Sequence, residues 1–240
     1  MCYLALAVVA GLAAVERKGF LQAMLSRPIA LGPIAGLVLG DAPAGLYVGA
    51  PLELLWLGAV NLGAALPVNE ALGTAAAVGA TVLAGRALAA HGMAGPALLP
   101  AVAVLSIAAC APLASFGRRA DRVVERWNER LYASAEHHLA RGDLAGAARV
   151  NVYGLALPFA IAFLLVPLVA VLVAAAIPFL LARAPSLVAP LALGWVAFCG
   201  LACASGAKAM RAARAPVVYF GALVLGLALA TVAALAGGGT

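Results

Sequence analysis

Four stretches of this chain, Ala87–Gly117, Val150–Ala182, Ala184–Ala207 and Ala215–Thr240, contain no Asp, Glu, Lys or Arg. Each exceeds the roughly 20 apolar residues that a helix needs to cross the hydrocarbon of a bilayer. With 66% of residues hydrophobic and only 10% charged, against about 25% charged in soluble domains, the chain cannot build a water-facing surface. Scarce aromatics (6%) and the lack of period-two alternation argue against an outer-membrane barrel. The expected fold is all-α, a polytopic integral membrane protein with kinked and re-entrant (discontinuous) helices. Val150–Ala182 carries Pro158, Pro167 and Pro178. It is therefore expected as one kinked helix, or as a span with a broken extension.

The formal net charge of +6 does not point to nucleic acid, because basic and aromatic residues are not interleaved as a nucleic-acid surface requires. Basic residues in such chains mark cytoplasmic loops. One cluster lies between Arg118 and Arg149, and Lys208, Arg211 and Arg214 form a second. Asp121/Glu125/Glu129 and Arg122/Arg126/Arg130 fall at i, i+4 spacing, as on an exposed, ion-pair-laced helix. After them, "HLARGDLAGAARVN" reads as a helix, a turn at Gly142, and a second helix capped by Asp143. The organisation expected is a membrane region over residues 1–116, a cytoplasmic helical connector over 117–151, and C-terminal membrane helices over 152–240. The opening "MCYLALAVVAGLAAVERKGF" reads as a first membrane segment rather than a cleaved signal. The four cysteines lie in apolar sequence without metal-ligand pairing and are expected as small buried hydrophobes. His137–His138 with Glu136 reads as a solvated helix face. No metal, no cofactor and no catalytic nucleophile is expected.

The first third breaks the pattern. From Pro28 to Gly85 the uncharged runs are only 13, 11, 16 and 15 residues long, separated by Asp41, Glu53 and Glu70. The composition leaves no alternative to placing these acids at membrane depth, where an ionised side chain costs about 2.5–3.5 kcal/mol on insertion scales. Gly45, Gly49 and Glu53 are successive i, i+4 positions, so they share one helix face. Glycines spaced in this way let another helix approach closely, and Glu53 points into the protein with them. Gly32, Gly36 and Gly40 repeat the spacing one segment earlier. "NLGAALPVNEALG" reads as a helix end, an extended stretch through Pro67 and a new helix capped by Asn69. A broken helix at membrane depth, a carboxylate and the carboxamides of Asn61 and Asn69 offer several donors and acceptors in a small space. That suits a ligand with many hydroxyls, such as a sugar, and suits a cation or proton nearly as well. Against these stand plainer readings: Asp41 as a turn residue, and Glu70 as a first-turn acid favoured by the helix dipole.

The stretch "GFLQAMLSRPIALGPIAGLVLGDAPAGLYVGAPLELLWLGAVNLGAALP" resembles the IIC subunit of the mannose/fructose/sorbose family of bacterial phosphotransferase systems. The matching elements are Gln22 with Ser26–Pro28, Gly36–Asp41, Gly45–Gly58 and Gly63–Pro67. The resemblance implies a subunit that pairs with a second membrane subunit, IID, in oligomers of IIC–IID units in the bacterial inner membrane. It implies cytoplasmic IIA and IIB proteins that carry phosphate from phosphoenolpyruvate. The resemblance further implies that IIB phosphorylates the sugar as IIC delivers it, by an elevator-like displacement. Carried over by position, the resemblance marks Glu53 of "LEL" as a sugar-binding residue, followed by Asn61, Asn69 and Glu70, then Gln22 and Glu16. Two other readings stay open. One is a sensor or scaffold derived from that family without transport. The other is an ion- or proton-coupled carrier using Glu53 and Glu70.

Overall fold

The structure, a computed structural model, describes residues 2–19, 23–58 and 68–212. Eight α-helices make up the described fold: α1 (Cys2–Lys18), α2 (Pro28–Val38), α3 (Ala42–Trp56), α4 (Glu70–Ala90), α5 (Leu98–Ala140), α6 (Leu144–Tyr153), α7 (Ala156–Arg183) and α8 (Val188–Ala212). No strand occurs among the described residues. Among the described residues, four stretches are long and apolar enough to cross a membrane: α4, α5, α6 with α7, and the segment Pro185–Arg211. The protein is a multi-pass, all-helical membrane protein.

The short pieces of the first third form a helical hairpin. Pro28 opens α2 with a residue that needs no amide partner. The chain then reverses at Gly40, whose φ of +79° suits glycine. Asp41 caps α3 by accepting from the Ala44 amide at 3.0 Å, which is the turn role weighed for it above. The two glycine series face each other across this hairpin. A Cβ on Gly32 would sit 2.6 Å from the Gly45 carbonyl oxygen and 3.0 Å from Gly49 Cα, and one on Gly36 would sit 2.9 Å from Gly45 Cα. Added at Gly45 it would collide with the Gly32 carbonyl, and at Gly49 with the Pro28 carbonyl. Lipid tails are as apolar as leucine, so close van der Waals packing of this kind, not apolar burial, holds membrane helices together.

Helix α4 lies at the centre. It is apolar or small all round and is buried on nearly every side, as expected of a helix with no outward face. It packs against α7 and α5 and also meets α1, α2 and α3. At Gly79 three helices converge, where a Cβ would lie 2.7 Å from Leu6 Cδ2 of α1 and 2.9 Å from Ala170 Cβ of α7. The sequence placed a span at Ala87–Gly117, taking Arg86 as a boundary. The structure corrects this: α4 runs through Arg86 to Ala90, and a turn containing Gly92 and Gly95 precedes α5. Arg86 stays within the helix because its guanidinium donates to the Leu39 carbonyl at the end of α2.

Further along, α5 is continuous for 43 residues, so the polar stretch that begins at Gly117 prolongs a membrane helix without a break. The turn at Gly142 (φ +73°) and the cap by Asp143 on the Gly146 amide at 2.8 Å stand where the sequence put them. The long uncharged run from Val150 divides at Gly154–Leu155 into the end of α6 and the whole of α7. Pro167 and Pro178 lie inside α7. The cysteines depart from the buried expectation: Cys110 is buried, but Cys199 and Cys203 are half-buried and Cys2, at the start of α1, is exposed.

Two expectations follow. Gly45→Leu forces a side chain onto the Gly32 backbone, and thermal unfolding of the detergent-purified protein should show a loss of about 1–3 kcal/mol or more. Gly85→Ala, with open space around it, should instead be neutral or stabilising by up to about 1 kcal/mol. Equal effects of the two would refute the packing assignment. The Gly146 amide bond, reinforced by the His138 ring, holds the exposed Asp143 carboxyl below its ordinary value. Its cap is therefore fully present above the unfolded-state value near 3.9 and lost as pH falls through the lower folded-state value. Amide protection of the first turn of α6 should follow that titration, and Asp143→Ala should abolish the protection at neutral pH.

Candidate functional site

The charged side chains gather where five helices meet: the end of α1, the start of α2, the last turns of α3, the start of α4 and the middle of α5. The hairpin geometry accounts for the first contact. Because α2 and α3 are antiparallel, the ridge Gly45–Gly49–Glu53 runs from Gly36 back towards the N-terminus of α2. Glu53 therefore arrives beside Arg27 and the free amides that open α2. Its Oε1 accepts from Arg27 Nη2 at 2.5 Å and Nε at 3.0 Å, and its Oε2 accepts from the Ile29 amide at 3.3 Å. The glutamate thus balances both a guanidinium and the positive end of a helix.

From there the charges alternate in a ladder. Arg27 Nη1 lies 3.8 Å from Glu70 Oε1, and Arg17 Nε lies 3.7 Å from Glu70 Oε2. Arg17 Nη1 donates to Asp121 Oδ2 at 2.9 Å, and Lys18 Nζ is 3.2 Å from Asp121 Oδ1. Arg17 also donates to the Val68 carbonyl at 3.3 Å. Asn69 joins through two bonds: its Oδ1 caps α4 at the Leu72 amide (3.3 Å), and its Nδ2 reaches Asp121 Oδ2 at 3.5 Å. Glu16 stands alongside, accepting from the Ser26 amide at 2.9 Å. Glu16, Asn69, Glu70 and Asp121 are all buried.

One atom in this ladder is under-used. Glu70 Oε2 is buried and makes no hydrogen bond, although Arg17 Nε stands at ion-pair distance from it. A buried acceptor without a donor is costly. Chemically, the carboxylate can accept a hydrogen bond from a ligand hydroxyl or amine, with Arg17 beside one oxygen and Arg27 beside the other. The apolar cavity of about 210 Å³ between α3, α4, α5 and α8, lined by Leu52, Leu55, Val104, Ile107 and Phe198 among others, cannot satisfy such a ligand.

Of the sequence candidates, the structure brings together Glu16, Glu53, Asn69 and Glu70. Gln22 and Asn61 lie outside the described residues. Asn69 does cap α4, but the cap and Asp121 occupy its carboxamide. Four members were not singled out from the sequence: Arg17, Lys18, Arg27 and Asp121. The first three had a usable signal, since acids at membrane depth need counterions and these bases precede them in the same third of the chain. Asp121 is a correction. The i, i+4 pattern put it on an exposed face, yet it is 3% exposed because two cations of α1 draw that side of α5 inward. Its partners in the pattern, Arg122, Glu125, Arg126, Glu129 and Arg130, are exposed. His138 bonds Asp143 at 2.9 Å and His137 contacts Arg141, both away from the ladder. No metal-holding cluster occurs among the described residues.

Removing one member of a buried pair strands its partner, at about 3–5 kcal/mol. Arg17→Met, which leaves Asp121 only Lys18 and Asn69 and leaves Glu70 only Arg27, should destabilise the purified protein by up to that order. The double variant Arg17→Met/Asp121→Leu should recover part of the loss. Additive losses would show that the two side chains do not interact.

Comparison with known proteins places this geometry in context. The family profile described as "PTS system sorbose-specific iic component" matches residues 1–232. The "Putative N-acetylgalactosamine permease IIC component 2" of Escherichia coli (strain K12) is 43% identical over 70 residues, 29% of this chain and 52% of that protein. The chain thus spans about half the length of this curated relative. Among solved structures, one described as "Structure of membrane protein" aligns with a TM-score of 0.65 at 22% identity, covering 98% of this chain and 93% of the other. The cryo-EM structure of the mannose transporter ManYZ in complex with microcin E492 aligns with a TM-score of 0.57 at 22% identity, covering 98% and 92%. At that identity the two structures speak to the fold. With the profile matched over nearly the whole chain, the protein belongs to the family of phosphotransferase-system sorbose-specific IIC components.

Proposed function

We propose that this chain is the membrane-spanning IIC subunit of a phosphoenolpyruvate-dependent sugar phosphotransferase system. It binds a hexose-type sugar of the mannose, fructose, sorbose or amino-sugar class and moves it across the bacterial inner membrane together with a IID subunit. The cytoplasmic IIA and IIB proteins relay phosphate, and IIB phosphorylates the sugar on delivery. The polar half of α5 and α6 faces the cytoplasm, in keeping with its arginines, and the α2–α3 hairpin is re-entrant.

The observation that carries this reading is the alternating ladder Glu53–Arg27–Glu70–Arg17–Asp121, in which one Glu70 oxygen makes no hydrogen bond. Sugars are recognised by carboxylates and guanidinium groups that accept from and donate to neighbouring hydroxyls. In a low-dielectric setting each such bond is strengthened. Glu53 and Glu70 accept, Arg17 and Arg27 donate, and the helix ends that open α2 and α4 position them. The burial of Glu70 also supports a second reading, in which its carboxylate takes up a proton and couples the motion to an ion gradient.

Two measurements separate these readings. Membrane vesicles containing the chain with IID, IIA and IIB should accumulate sugar phosphate from a panel of hexoses, amino sugars and sorbose, and only when phosphoenolpyruvate and IIB are present. Uptake driven by a proton gradient without phosphoenolpyruvate would establish the second reading instead. In the first case Glu53→Gln keeps an acceptor for the Ile29 amide but loses the charge facing Arg27. It should leave the complex assembled and lower uptake by tenfold or more. Unchanged uptake would remove Glu53 from the site.

A further inference from the structure

The polar half of α5 carries an exposed surface that the ladder does not use. Arg119, Val123, Arg126 and Arg130 recur at three- and four-residue spacing, and Trp127, His137 and Arg141 fall on the same side of the helix, so they form one stripe along it, with Phe116 at its membrane end. All of them are exposed, Val123 at 53% and Trp127 at 46%. No acid lies on this stripe. Glu125, Glu129 and Glu136 occupy the other exposed side, with Arg118 and Arg122 at its membrane end. Such segregation is unlike a solvated helix, where charges of both signs mix and pair.

Length decides what the stripe meets. The 20 uncharged residues of α5 before Arg118 fill the hydrocarbon. The headgroup layer adds about 5–8 Å on each side, or about four or five residues of helix. Arg119 can reach lipid phosphates. By helical rise, however, Arg126 and Arg130 stand about 13 and 20 Å beyond Gly117, out in the water. The chain beyond the described residues offers no counter-charge, since residues 215–240 contain no acid. We infer that the Arg119–Arg130 stripe of α5 docks a soluble, acidic protein surface, with Trp127 and Val123 as its apolar anchors. Resting on the transport reading above, the partner is a cytoplasmic phosphoryl carrier of the same system. Asp121, on the opposite side of the same turns, holds Arg17 and Lys18. The docked partner therefore sits one helix diameter from the ladder.

The test uses the full chain assembled with IID in nanodiscs of neutral lipid, with the soluble IIA and IIB proteins as probes. One carrier should bind saturably, more weakly at high salt. The triple reversal R119E/R126E/R130E should raise its Kd tenfold or more while sugar binding by the membrane pair is unchanged. The opposite-side reversal E125K/E129K should leave carrier binding unchanged. Three results would overturn the inference: carrier binding indifferent to the triple reversal, wild-type binding that requires anionic lipid, or a reversal that changes only the oligomeric size and so marks a contact between copies of this chain. Failure of the two readings is distinguishable. Phosphoenolpyruvate-dependent uptake with carrier binding indifferent to the stripe defeats the docking surface alone. A carrier bound at the stripe without any such uptake defeats the transport reading.

Discussion

The backbone contact between Gly32/Gly36 and Gly45/Gly49 is the constraint on which the rest of the site depends. Only residues without a Cβ let α2 and α3 come this close. The closeness fixes the register of the hairpin, and the register delivers Glu53 to Arg27 and to the amides at the start of α2. A methyl group in that seam would separate the helices and move the glutamate away from both partners. The chemistry of the ladder is therefore set by residues that carry no functional groups at all.

Beyond the hairpin, the ladder solves a problem that each acid poses separately. Glu53, Glu70 and Asp121 would each be expensive in an apolar surrounding. Linked through Arg27 and Arg17, each cation serves two anions, and the line crosses from α3 to α5 through the starts of α2 and α4 and the end of α1. Shared counterions make the members interdependent. That couples five helices at one end of the molecule more tightly than apolar packing alone.

Much of this was legible in the sequence. The facing glycine series, the inward direction of Glu53 and the caps at Asn69 and Asp143 follow from spacing and from backbone chemistry that acts over three or four residues. What stayed hidden was long-range. Nothing local to Asp121 distinguishes it from Glu125 one turn later; it is buried because Arg17, 104 positions away, reaches it. Arg86 looked like a boundary because its acceptor, the Leu39 carbonyl, lies 47 positions away. In each case a local rule, that charge means exposure for Asp121 and that charge ends a span for Arg86, gave way to a tertiary partner that a single sequence does not display. Arg27 lay in plain view within "SRP", but its role needs the hairpin to be folded.

The Arg86 contact has a mechanical meaning when set beside Arg27. Helices α2 and α4 run in the same direction, with Arg27 meeting Glu70 where both begin and Leu39 meeting Arg86 near their far ends. The hairpin is thereby riveted to the central helix at two points along its length. A hinge within this pair would have to break a charged contact at one rivet or the other. Because Asn69 and Glu70 at the start of α4 are bound in turn to Asp121 of α5 and Arg17 of α1, a load on the hairpin is passed to the central helix at both ends and to the rest of the bundle at one.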